Sequence, residues 1–139
     1  MHIESIKLRN FKAFRDLEMK NIPSFCVIVG ANGSGKTTLF KAIGFLKECV
    51  TYNVYQALEN HGGFSEVLSR GATEQEIKIE IQVRMDIAGH NRRVTYELII
   101  QENGGRAFVA REVLRYKRAA PHLRCHPLFL LINCSLLEY

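Results

Sequence analysis

Gly30, Gly35, Lys36 and Thr37 stand in the spacing Gly-x-x-x-x-Gly-Lys-Thr, with Gly33 between the outer glycines. These residue types suit one kind of chemistry. Glycines accept left-handed backbone angles, so successive N–H groups can turn into a single hollow. A triphosphate supplies the acceptors for them. A lysine at the end of the hollow neutralises charge between the β- and γ-phosphates. A neighbouring threonine hydroxyl is a hard oxygen ligand for Mg²⁺, which bridges the same phosphates. The candidate nucleotide-binding residues are therefore Gly30, Ala31, Asn32, Gly33, Ser34, Gly35, Lys36, Thr37 and Thr38. ATP and Mg²⁺ are the expected cofactors, with Thr37 as the metal ligand and Thr38 in reach of the α-phosphate.

Such a loop is meaningful only between a strand and a helix. Ahead of it, "SFCVIVG" (residues 24–30) is a continuous apolar run rich in β-branched residues. Continuity rather than alternation predicts a strand buried on both faces, at the centre of a covered sheet. Behind it, Leu39, Ala42, Ile43, Leu46 and Val50 recur at helical spacing and predict an amphipathic helix. Its N-terminus adds a positive dipole end to the hollow.

The remaining elements are mostly strands. Ile6 and Leu8 alternate with Ser5 and Lys7, and a second short strand is expected around Leu17 and Met19. The two pair as a hairpin through "NFKAFRD". A second short helix within residues 51–63 is stopped by Gly62 and Gly63, and residues 63–72 read as a loop or single turn. Ile77, Ile79, Ile81 and Val83 then alternate with polar residues, as do Val94, Tyr96, Leu98 and Ile100. With residues 106–116 they form an antiparallel meander closed by short turns. A parallel-type nucleotide core fused to an antiparallel sheet is the expected result.

Apolar content of 47% with 24% charge in 139 residues describes one globular domain and excludes a disordered chain. No apolar run reaches a membrane span and the start is no secretory signal, so the expectation is cytoplasmic with no membrane partner. Cys26, Cys49, Cys125 and Cys134 are irregularly spaced and read as thiols. The net charge of +5 is concentrated in Arg106, Arg111, Arg115, Lys117, Arg118 and Arg124 against Glu112 alone. That cluster suits either a nucleic-acid backbone or solvated charge. His122, Cys125, His126 and Cys134 match no standard zinc spacing.

"GANGSGKTTLF", with Asn32 in the loop, resembles the ABC-type ATPases, and "IESIKLRNFKAFRD" resembles the N-terminal strands of the RecF, SMC and OLD-like ATPases. "GGFSEVLSRG" resembles a segment of the same group, which is also described under AAA ATPases. The resemblance covers residues 1–118. It implies an α/β fold, a P-loop NTPase in the form of an ABC-ATPase head N-terminal lobe with an antiparallel β-meander, and an incomplete head. It implies a role in DNA repair, chromosome maintenance or phage defence, a second head as partner, and nucleic acid as a further one. Arg9, Asn10 and Lys12, in the turn after the first strand, are by resemblance set to border the phosphates or adenine. Read without the resemblance, the same stretch is a surface turn with Phe11 or Phe14 in the core.

The parts with which these ATPases hydrolyse ATP are not in the sequence. "VLSRGA" (residues 67–72) lacks the double glycine of a signature loop and follows the phosphate loop too soon, so it reads as a structural turn. "LIIQE" (residues 98–102) has Gln101 where a Walker B strand has Asp; a strand leaving the core explains it better than a Gln loop. No Asp-Glu pair follows an apolar strand. The chain thus reads as the nucleotide-holding lobe alone, an ATPase by resemblance whose isolated turnover is poor. The alternative is a non-catalytic nucleotide- or partner-binding module. A common GTPase ranks below both for want of an Asn-Lys-x-Asp reader, and a kinase because of the meander. Residues 119–139, with Pro121, Pro127 and an apolar run, break the periodicity and are expected to lie outside the ATPase fold.

Overall fold

Residues 2–116 are described by the computed structural model. The expected boundary at residue 118, the segment beyond it, and Lys117, Arg118 and Arg124 of the basic cluster lie outside the described residues, as do the histidines and cysteines that follow. Strands β1 (His2–Phe11) and β2 (Phe14–Met19) precede three helices, α1 (Lys36–Thr51), α2 (Val54–Asn60) and α3 (Phe64–Val67). Strands β3 (Glu76–Ile87), β4 (His90–Asn103) and β5 (Arg106–Tyr116) follow.

All five strands form one sheet in the order β2-β1-β3-β4-β5, and every pairing is antiparallel. The predicted hairpin and meander are both present, and β1 joins them by pairing with β3. Their turns follow from local chemistry. Ala88 and Gly89 take φ of 54° and 75° between β3 and β4, and the Asp86 carboxylate accepts from the Gly89 N–H. Gly104 and Gly105, at 58° and 78°, do the same between β4 and β5. Left-handed angles at both central residues match the twist of the flanking strands.

Alternation leaves one apolar face. Ile6, Leu8, Ile77, Ile79, Leu98 and Ile100 are buried on it. Leu39, Ala42, Phe45, Leu46 and Cys49 of α1 belong to the same core, and the rings of Phe45 and Phe11 lie 5.6 Å apart. The buried stripe of α1 therefore runs through Phe45 and Cys49, while the expected Ile43 and Val50 are only half-buried at its edge. Burial pushes the Cys49 thiol up to about 12, so it is a core residue rather than a nucleophile. Helix α2 is capped by the Asn53 side chain accepting from the Gln56 N–H, and is tied back to α1 where Asn60 and His61 meet Glu48.

The strand predicted over residues 24–30 is not formed. That stretch pairs with nothing among the described residues, and Phe25, Val27 and Val29 are 82%, 65% and 85% exposed. The expectation of a central buried strand, and with it of a parallel core, is overturned for the described residues. The cause is physical: a strand with two apolar faces needs ladder partners and cover on both sides, and this sheet ends at β2.

The opposite face of the sheet is polar and carries linked charges. Glu97 is buried there, with Lys78 at 3.0 Å, Arg115 at 2.7 Å and Arg111 at 3.7 Å. The Lys78 hydrogen bond, then the charges of Lys78, Arg111 and Arg115, hold its carboxyl below the ordinary value of 4.5. A depressed native value means that its stabilisation is complete above the unfolded value and is lost as pH falls through the native one. Glu97→Gln is therefore expected to lower the denaturation midpoint at pH 7. The gap to wild type should close as the pH falls below 4.5 in a urea titration series. A gap constant down to acid pH would contradict the assignment.

Candidate nucleotide site

The glycine loop leads straight into α1. Gly33 and Gly35 take φ of 84° and 92°, which other residues adopt only with strain. Gly35 is also the residue ahead of α1, so no side chain caps the helix there, and its first turn holds no acid. The first helical hydrogen bond runs from the Leu39 N–H to the Gly35 carbonyl. The opening N–H groups of α1 thus face the loop with the positive end of the helix dipole behind them. Thr37 is exposed and Thr38 half-exposed on this first turn.

Lys36 folds back into the hollow. Its ammonium donates to the Ala31 carbonyl at 2.7 Å, to the Gly30 carbonyl and to Ser34 Oγ at 3.2 Å. The cation at the loop's end is thereby held by the loop's own oxygens. The donor set fits a phosphate chain with a metal: an ammonium, uncapped helix N–H groups and two hydroxyls. Lys36 would hold the phosphates, and Thr37 the Mg²⁺.

Arg9, Asn10 and Lys12 do not converge as a group. Arg9 lies on the polar face and meets Glu74 at 3.0 Å. Asn10 is buried with φ of 54°; its Nδ2 donates to the Glu76 carbonyl at 3.0 Å, and its carbonyl accepts from the Ser69 N–H. Lys12, at φ 48°, donates from its backbone N–H to the Val67 carbonyl and from Nζ to the Glu66 carbonyl at 3.2 Å. Desolvation pulls the Lys12 ammonium below its usual range, and the charge of Lys41 on α1 adds to this while Glu66 opposes it. An anion beside Lys12 would relieve that cost.

Two residues of this region have a place in the site that sequence reading does not give them. Phe14 lies against the loop: a Cβ built on Gly35 would stand 2.8 Å from its Cε1 and Cζ. The charge of Lys41 acts on Lys12 only because α1 docks on the sheet, so no sequence signal marks it. The stretch read as a structural turn over residues 67–72 holds the last residue of α3 and the turn after it, with Leu68 bridged to Phe11 and the Ser69 N–H on the Asn10 carbonyl. Gln101 sits within β4 and donates to Glu76 at 2.7 Å.

Comparison with known proteins settles the family. The family described as AAA ATPase domain matches residues 1–111. The chain belongs to this family. Among the curated relatives that it matches are RecF proteins. The DNA replication and repair protein RecF of Listeria monocytogenes is 34% identical over 109 residues, covering 78% of this chain and 26% of the relative. The RecF of Paenarthrobacter aurescens is 37% identical over 54 residues, 39% of this chain and 14% of the relative. The chain spans about a quarter of the length of the first of these curated relatives. A solved structure from work on ATP-driven dimerization and DNA-stimulated activation of SMC ATPases superposes with a TM-score of 0.53 at 20% identity. It covers 81% of this chain and 72% of the solved one, so the two share a fold. No helix among the described residues is long and apolar enough to cross a membrane.

The two left-handed glycines of the loop differ in their surroundings. Nothing lies within 4 Å of a Cβ built on Gly33, whereas one on Gly35 meets Phe14. Gly33→Ala is expected to cost about 1 kcal/mol of backbone strain, and Gly35→Ala about 2–4 kcal/mol, strain and collision together. Chemical denaturation of both variants checks the ranking; equal losses would show that Phe14 yields freely.

Proposed function

We propose that this chain is the nucleotide-binding part of a RecF/SMC-like ATPase and takes ATP with Mg²⁺ on residues 30–38. The observation that carries the reading is the junction of the glycine loop with an uncapped α1, with the Lys36 ammonium already at its centre. Phosphate oxygens replace the loop carbonyls as partners of Lys36, and the helix N–H groups donate to them. Mg²⁺, when bound, would supply charge neutralisation at the phosphates, and Thr37 would hold it from the protein side. Lys12, whose Nζ reaches the Glu66 carbonyl, is the cation that the β1–β2 turn offers to an anion. In this structure Arg9 meets Glu74 and the Asn10 amide meets the Glu76 carbonyl, so a contact of either with the nucleotide requires those partners to be exchanged.

The relatives extend the reading to partners. The curated relatives are named for DNA replication and repair, and the solved one concerns dimerization driven by ATP and activation by DNA. On that likeness a second ATPase head and DNA are the partners proposed for the protein to which this chain corresponds. Hydrolysis belongs to parts that this sequence does not carry: an acid to order the attacking water and a signature loop facing the γ-phosphate.

Calorimetry with Mg²⁺ and ADP or ATP tests the binding. Lys36→Ala is expected to weaken it about tenfold or more, the effect of losing a charge-assisted contact. Folded wild-type protein that takes up no nucleotide would overturn the reading. Phosphate release by the isolated chain is expected at the background rate. Turnover well above background that vanishes in Lys36→Ala would instead place a hydrolytic group within this sequence.

A further inference from the structure

The phosphate loop has few visible anchors. The stretch ahead of it is exposed and unpaired among the described residues, and the loop itself, residues 30–34, is exposed. What meets it from the sheet side is Phe14, the first residue of β2. The ring occupies the space where a side chain at position 35 would begin. It thus rests on the glycine from which α1 starts.

Phe14 is in turn held by an unusual turn. The backbone leaves β1 through two left-handed non-glycine residues, Asn10 and Lys12. Such angles cost free energy and persist only where neighbours over-determine them. The neighbours are specific. The Asn10 amide grips the first carbonyl of β3, its own carbonyl takes the Ser69 N–H, and the Lys12 N–H goes to the Val67 carbonyl. Phe11, fully buried between them, bridges Leu68 and packs on Phe45 of α1. An aspartate at position 10 could not donate to Glu76, and most other side chains would resist φ of 54°.

We infer that Phe14 is a positioning residue for the phosphate loop, and that Asn10 anchors the turn that aims it. This rests on the proposed nucleotide site. Within that turn it gives Asn10 and Phe14 the task of fixing the loop that receives the ligand. Phe14 acts by contact with Gly35, so its effect is mechanical. It restricts the backbone at the point where the first helical N–H groups must converge on the phosphates.

The test uses the full chain with Phe14→Ala, Phe14→Leu, Asn10→Ala and the double alanine variant. Hydrogen exchange of the amides of residues 33–37 is measured without nucleotide, and fluorescent ADP binding is measured with Mg²⁺. Phe14→Ala is expected to speed exchange in the loop and to weaken ADP binding, each by about tenfold. Phe14→Leu should recover most of both. Asn10→Ala should move both in the same direction, and the double variant should be no worse than the more affected single one, because both changes act through one contact. Unchanged loop exchange in Phe14→Ala overturns the inference, as do losses that multiply in the double variant. If Asn10→Ala does not fold, the Phe14 pair decides alone. If loop exchange responds but wild type binds no ADP, the positioning role stands and the nucleotide reading fails.

Discussion

One apolar sheet face must be kept from water, and the rest of the structure follows from how that is done. The face is supplied by alternation in β1, β3 and β4, and α1 contributes the opposing stripe of Leu39, Ala42, Phe45, Leu46 and Cys49. Area burial of this kind is the dominant favourable term in a domain of this size. The contact of Phe45 with Phe11 sets the height of α1 over the sheet. Because α1 begins at the last residues of the glycine loop, the position of the loop is a by-product of core packing. The chemistry of Lys36 and Thr37 is thus referenced to the sheet through a hydrophobic contact rather than through polar ones.

Most of this scaffold was legible in the sequence. Period-two alternation named the hairpin and the meander and placed short turns between their strands, because each of these signals is local. The helix was legible for the same reason, although its buried stripe is centred on Phe45 and Cys49 and leaves Ile43 and Val50 at the margin. The strand over residues 24–30 was not, because continuous apolarity expresses what a segment requires and says nothing of whether a neighbour is present to supply it. The glycine-lysine motif was legible as chemistry. The state of its lysine was not, since whether Lys36 faces outward or is held by Gly30, Ala31 and Ser34 depends on the loop backbone.

The β1–β2 turn shows a different limit. Arg9, Asn10 and Lys12 are close in sequence and were grouped by family resemblance, yet one lies on the polar face, one is buried and one approaches α1. Two left-handed residues in three positions break the alternation by which the neighbours of a strand residue are inferred. The Asn10 amide commits one of its donors to the Glu76 carbonyl, a contact that fixes the side chain towards β3. Proximity in sequence to a ligand site therefore divides into contact and support only once the fate of each donor is known.

The three oxygens that hold the Lys36 ammonium give the loop an internal competitor. Any anion must displace them, so apparent affinity is the intrinsic affinity scaled by the fraction of molecules whose loop is already free. If that fraction is about one in a hundred, binding is weakened about a hundredfold with no contact to the ligand changed. Ser34 then has two effects on the proposed site, adding a hydroxyl to the loop and holding Lys36 in its present contacts. Anything that straightens the chain ahead of Gly30 shifts this balance from a distance, so affinity in such a site is a property of the population of loops as much as of the residues that line it.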